Sequence, residues 1–141
     1  MSIIPDSDFG MRVRDRLKGE KVIWFTTTSA DGTPQPNPVW FLWEQDGDSV
    51  LIYNASEAKR LDHVAVCPHV SLNFDGNGHG GNIVVIAGVA EQALDVPPAT
   101  EHEPYVAKYA ADVARIGMDA ESFAKKYSVA LRVRMTKVRG H

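Results

Sequence analysis

Seven consecutive residues, Asn54-Ala55-Ser56-Glu57-Ala58-Lys59-Arg60, gather the groups of this chain best suited to hold an anion. They bring an amide, a hydroxyl and two cations to a point where a strand gives way to a helix. The first turn of a helix has N–H groups without intrahelical acceptors and lies at the positive end of the helix dipole. An anion held there meets directed donors as well as full charges. The anion expected is a cofactor phosphate. The same residues also have a purely structural reading. Asn54 and Ser56 are helix caps in that reading, and Lys59 and Arg60 form a solvated first turn. Capping and anion binding use the same N–H groups, so both can hold.

Other groups that attract attention support less. Gly76-Asn77-Gly78-His79-Gly80-Gly81 is glycine-rich like a phosphate loop. It lacks the Lys-Ser/Thr ending and precedes a strand rather than a helix, so it is read as a hairpin tip. His63, Cys67 and His69 have loose metal-ligand spacing, but no second cluster completes a tetrahedral set, and no metal is expected. No nucleophile–base pair or paired carboxylates can be argued, so no catalytic side chain is assigned. Cys67 is the single cysteine and is read as a small buried hydrophobe; no internal disulfide is possible.

The 141 residues are expected to form one domain over 1–141, with no linker or repeat. A net charge of −3 argues against general nucleic-acid binding, which draws on many Lys/Arg–phosphate contacts. The N-terminus lacks a basic n-region and an apolar h-region, and no apolar run approaches membrane-spanning length. A cytoplasmic protein without a membrane partner is expected.

The elements that must position the Asn54–Arg60 segment alternate at short range. A lead-in helix is expected over 6–19, capped by Asp6, Ser7 or Asp8, with Phe9, Val13 and Leu17 inward and Arg12, Arg14 and Arg16 solvated. Strands are expected at Val22–Thr28, Val39–Glu44, Val50–Tyr53, Val70–Phe74, Ile83–Leu94 and Val129–Met135, with Asp-Gly turns at 31–32 and 46–48. Prolines 34, 36 and 38 point to an edge entry into the second strand. Gly88 suggests a bulge. A helix is expected from about Ser56 to Val66, with Ala58, Leu61 and Ala65 on one face. Thr100-Glu101-His102-Glu103 has the form of a capping box. The helix behind it would present Tyr105, Val106, Tyr109, Val113 and Ile116 on one face, and Asp119 would cap a further short helix. The class is mainly β (α+β): a six-stranded antiparallel barrel with two or three helices.

This order of pieces resembles the split β-barrel flavoprotein superfamily typified by pyridoxamine 5'-phosphate oxidase. Four segments carry the likeness: Thr26–Pro34, Pro38-Val39-Trp40-Phe41, Tyr53-Asn54 with Ala58-Lys59 and the helix to Val66, and Cys67–Phe74 running on to Val84–Glu91. They span about residues 21–92. Pro38-Val39-Trp40-Phe41 looks most like the branch that uses the deazaflavin coenzyme F420. FMN-using members show an Arg-Lys pair where this chain has Ala58-Lys59, with Arg60 adjacent. The resemblance implies an F420-dependent oxidoreductase that moves a hydride between reduced deazaflavin and a small organic acceptor. It further implies a homodimer with the cofactor in a groove between subunits. Lys59 and Arg60, with Asn54 and Ser56, would bind the cofactor phosphate, and Pro38, Val39 and Trp40 would lie along its ring. The alternatives are an FMN-binding oxidase or reductase on the same fold, and a non-catalytic binder of flavin, F420 or haem. For Trp40 the structural alternative is core or interface packing; Trp24 and Trp43 are read as packing residues.

Overall fold

The computed structural model describes residues 2–45 and 47–141. Along the chain run α1 (Asp8–Gly19), β1 (Val22–Thr28), β2 (Pro34–Trp40), β3 (Leu42–Glu44), β4 (Ser49–Asn54), α2 (Lys59–Val66), β5 (His69–Asn73), β6 (Val84–Gln92), α3 (Glu103–Arg115), α4 (Ala120–Lys126) and β7 (Val129–Gly140). Among the described residues there are thus seven strands and four helices, where six and two or three were expected. Part of the 46–48 turn, at Asp46, lies outside the described residues; beside it Gly47 N–H donates to Glu44 O at 3.1 Å.

The extra strand comes from a break at Phe41. Trp40 pairs with Val22 of β1, whereas Leu42 pairs with Leu51 of β4, so the chain changes ladders within one residue. The strands form one antiparallel sheet in the order β2-β1-β5-β6-β7-β4-β3. Its two edge strands are neighbours in sequence. A sheet whose edges are tied through one residue must curl until they meet, which makes it a barrel split at that seam.

The seam exposes backbone groups that no ladder serves, and α3 supplies their partners. Phe41 N–H donates to Tyr109 Oη at 2.9 Å. The Tyr109 hydroxyl proton is shared between Lys21 O at 2.6 Å and Phe41 O at 2.9 Å. Lys108 Nζ also donates to Phe41 O at 2.9 Å. Buried backbone groups need such partners.

Side chains alternate across β4 into two apolar cores. Val50 and Ile52 face the barrel interior with Ile23, Phe25, Leu72, Ile86 and Val133. Leu51 and Tyr53 face outward and meet Tyr105, Tyr109 and Phe123 of α3 and α4. Both faces of β4 are therefore covered, and Val50 to Asn54 is buried throughout. Across β3–β4–β7, Arg132 grips both carboxylate oxygens of Glu44 at 2.8 and 3.0 Å and Asp95 at 2.8 Å. That bidentate pair holds the Glu44 carboxyl below its ordinary range.

Gly88 does sit at a register shift: Ala87 pairs with Lys137 but Gly88 with Met135, leaving Thr136 as the extra residue of β7. A Cβ on Gly88 would lie 2.6 Å from Val133 Cγ1 and 2.9 Å from Arg134 O, so the close approach of β7 requires glycine. Ser7 caps α1 through Gly10 N–H at 3.1 Å, and Asp119 caps α4 through Ser122 N–H at 2.7 Å.

Several local expectations are corrected. The arginines of α1 do not form a solvated face. Arg14 donates to Pro5 O and Ile4 O; Arg16 donates to Asn82 O and Asp75 O and lies over the Phe74 ring. The capping box does not form, because α3 begins at Glu103 with His102 as its N-cap and Pro104 already supplies a preset first turn. Of the expected α3 face, Tyr105 and Tyr109 are buried while Val106 and Ile116 are exposed. In α2 it is Val64 that is buried, and Ala65 is exposed. Cys67 is half-buried.

Candidate functional site

The strand β4 ends at Asn54, and four more residues pass before α2 begins. Helix α2 starts at Lys59, with Ala58 as N-cap and no side-chain capping bond. The expected caps therefore do other things. Ser56 is exposed and its hydroxyl donates to Glu57 Oε2 at 3.3 Å. Asn54 is fully buried. Its amide nitrogen donates to Ile52 O at 2.9 Å and Val129 O at 3.1 Å, and its Oδ1 accepts from Arg60 Nε. Asn54 thus clamps the guanidinium to β4 and β7, leaving the two terminal nitrogens of Arg60 free of this bond.

Arg60 forms part of a cavity of about 240 Å³. Pro38, Val39 and Trp40 line it together with Tyr53, Tyr105, Ile116, Phe123 and Tyr127. Four of the seven residues expected to bind a cofactor therefore line one space: Pro38, Val39, Trp40 and Arg60. Asn54 lies beneath it as the clamp. Ser56 and Lys59 are exposed and are not among its lining.

Trp40 is held by two aromatic neighbours. Its ring stacks on Tyr109 at 4.7 Å and 6°, and on Phe123 at 5.6 Å and 22°. Packing and cavity wall are therefore one role for this residue. Tyr53 Oη donates to Pro97 O at 2.6 Å and meets His102 Nδ1 at 3.1 Å. Trp24 Nε1 donates to Asp75 Oδ1 at 3.0 Å, away from this cavity.

The electrostatics of the cavity are simple. Burial pushes the Tyr53 hydroxyl up to about 12, with a contribution from Glu44, and burial raises Tyr105 as well. The phenols are therefore neutral at physiological pH. Arg60 is the one ionised side chain among the described lining residues. No carboxylate among the described residues forms a salt bridge with it. Burial pulls its pKa down, since a charge withdrawn from water without a counter-ion is disfavoured. An anion entering the cavity would reverse that penalty.

The sequence motif for pyridoxamine 5'-phosphate oxidase matches residues 10–141, nearly the whole chain. The chain belongs to this family. No curated protein sequence matches it. Among solved structures, an F420 reductase superposes with a TM-score of 0.64 at 19% identity, over 89% of this chain and 94% of that one. An FAD-binding protein from Mesorhizobium loti gives 0.63 at 17% identity, over 91% and 90%. The haem storage protein from Vibrio cholerae gives 0.61 at 15% identity, over 99% and 95%. At these identities the likeness lies in the fold, the split barrel of the family. Among the described residues no helix is long and apolar enough to cross a membrane, and no group of three or more His, Cys, Asp or Glu is placed to hold a metal ion.

The sequence reading missed Tyr53, Tyr105, Phe123 and Tyr127 as cavity walls. The signal in the sequence is the i, i+4 pair Tyr105 and Tyr109 on what its spacing marks as an apolar face. A phenol on such a face carries a hydroxyl that needs a partner when buried.

Proposed function

We propose that the protein is an F420-dependent oxidoreductase that moves a hydride between reduced deazaflavin and a small organic acceptor. The observation that carries this reading is Arg60: a cation without a carboxylate partner among the described residues, clamped by Asn54, in an otherwise neutral aromatic cavity beside the Pro38–Trp40 strand. Arg60 would bind the cofactor phosphate, and Lys59 and Ser56, exposed at the start of α2, would add outer contacts. Pro38, Val39 and Trp40 would flank the ring. When bound, the deazaflavin supplies the hydride chemistry itself. The chain's own residues bind charge, orient the ring and exclude water, so no side-chain acid or base is needed.

The cavity is smaller than the roughly 300–1,000 Å³ of sites that enclose a ligand. One subunit therefore offers a wall rather than an enclosure, which supports a two-fold homodimer with the groove completed by its partner. A cytoplasmic location fits a reduced cofactor and the single thiol. The second reading is a non-catalytic binder, or an FMN enzyme. The binder is favoured by the likeness of the fold to a haem storage protein, since binding alone asks for no more than a cavity with a charge in it.

Side-by-side titration of the purified protein with F420 and FMN tests the choice. F420 is expected to bind more tightly. Arg60→Gln should weaken that binding by about 1.5–3 kcal/mol, and Lys59→Ala by about 1–3 kcal/mol, the scale of hydrogen bonds to charged groups. Preference for FMN, or binding without oxidation of reduced F420 by any quinone or enone, selects the second reading. Unchanged affinity in Arg60→Gln overturns the phosphate assignment.

A further inference from the structure

A second cavity, of about 450 Å³, lies between the end of α1, β3 and the start of α3 and shares no lining residue with the Arg60 cavity. Its walls combine three lysines, Lys18, Lys21 and Lys108, with Leu17, Leu42 and Trp43. Among the described residues no carboxylate lines it. Lys21 is paired outside the cavity with Asp112 at 3.1 Å. Lys108 and Lys18 have no carboxylate partner among the described residues, and each lies over an aromatic face: Lys108 Nζ 3.7 Å from the Phe41 centroid, Lys18 Nζ 5.9 Å from that of Trp43. The Trp43 indole N–H is buried without an acceptor among the described residues.

We propose that this cavity is a second binding site, for a small aromatic carboxylate. Two facts select that chemistry. Lys18 and Lys108 have no carboxylate partner among the described residues, so an anion gains Coulomb energy there without displacing one. The remaining walls are apolar, so a flat hydrocarbon body gains burial that a bare inorganic anion cannot. Lys108 is the central contact, because its ammonium is half-buried and held in place by Phe41 O at 2.9 Å. Burial and the charge of Lys21 pull the Lys108 amine down to about 8, which still leaves it cationic at neutral pH and in want of a counter-ion. The site does not depend on which cofactor the Arg60 cavity takes.

Benzoate titrated into isotope-labelled full-length protein tests this by NMR, with benzamide and inorganic phosphate as comparison ligands. Benzoate should shift the Trp43 indole N–H and the Lys108 amide saturably and leave Arg60 unmoved. The neutral benzamide and the ringless phosphate should each bind at least about tenfold more weakly, a difference of about 1.4 kcal/mol. Lys108→Met keeps the aliphatic stem and should weaken benzoate about tenfold or more. Lys18→Met, at an exposed position, should do so by a smaller factor and serves if the first variant loses its folded spectrum. Absence of saturable shifts at Trp43, equal binding of benzamide, or full affinity in both folded variants overturns the proposal.

Discussion

Replacing Tyr109 by Phe removes one oxygen from the seam of the barrel and nothing else. The ring stays, so its stack on Trp40 at 4.7 Å is kept. The hydroxyl serves three backbone groups, and their fates differ. Phe41 O retains Lys108 Nζ at 2.9 Å. Lys21 O, only partly buried, can turn to water. Phe41 N–H has no other acceptor within the described structure, and Phe41 is fully buried. An orphaned buried donor costs about 1–3 kcal/mol, and the lost bond to Lys21 adds up to about 1. Tyr109→Phe should therefore lose about 2–3 kcal/mol. Urea denaturation is the assay, with a lowered midpoint at unchanged slope, since the surface exposed on unfolding does not change. At roughly 3 °C per kcal/mol for a chain of this length, the melting temperature should fall by about 6–9 °C. Tyr109→Ala, which also empties a core position, should lose more. A Tyr109→Phe protein within about 0.5 kcal/mol of wild type would show that the seam does not depend on this hydroxyl.

Asn54→Asp should reduce stability and anion affinity together, because two donors become acceptors facing Ile52 O and Val129 O while the new charge neutralises Arg60; chemical denaturation and F420 titration read the two effects. Gly88→Ala should lose about 1–3 kcal/mol in calorimetry, as the new methyl meets Arg134 O at 2.9 Å, and a neutral result would mean that β7 shifts freely. Lys108 falls from 10.5 to about 8 on folding, so between those pH values the unfolded chain holds a proton that the folded chain has released, and stability should rise with pH. Tyr53 moves the other way, up to about 12, so above pH 10 the unfolded chain ionises first and stability should fall. Melting temperatures across this range should show the rise and then the fall, and Lys108→Met should flatten the rise.

Most strands were legible in the sequence because β-branched and aromatic runs sit between Asp-Gly and proline signals. Val22–Thr28 has the bounds expected of it. The break at Phe41 was not legible, since Val39 to Glu44 is an uninterrupted apolar run and only tertiary pairing shows that Trp40 and Leu42 serve opposite edges. Local grammar also misled at Asn54 and Ser56. Both are good capping residues, yet the chain spends four residues in a turn before α2, and the buried amide of Asn54 goes to the backbone and Arg60 instead. At the cavity, Pro38, Val39 and Trp40 come from the resemblance and Arg60 from the basic turn after β4, and all four share one space. Of the tyrosines that complete it, Tyr53 lies in β4 beside Asn54, whereas Tyr105 and Tyr127 come from α3 and the segment after α4, far along the chain, where period alone cannot distinguish a core face from a ligand face.

Strand β2 places proline at every second residue, at 34, 36 and 38, and pairs on one side only. Alternate residues of an antiparallel strand aim both backbone groups away from the partner, and proline can occupy only that set because it has no N–H to give. From Pro34 to Pro38 the outer rim of the sheet is therefore a row of carbonyl oxygens with no donors between them. Such a rim cannot template another strand, whose zipper needs donors and acceptors in turn, so it is proof against runaway fibre growth. It remains sticky toward any flat molecule that offers N–H groups of its own.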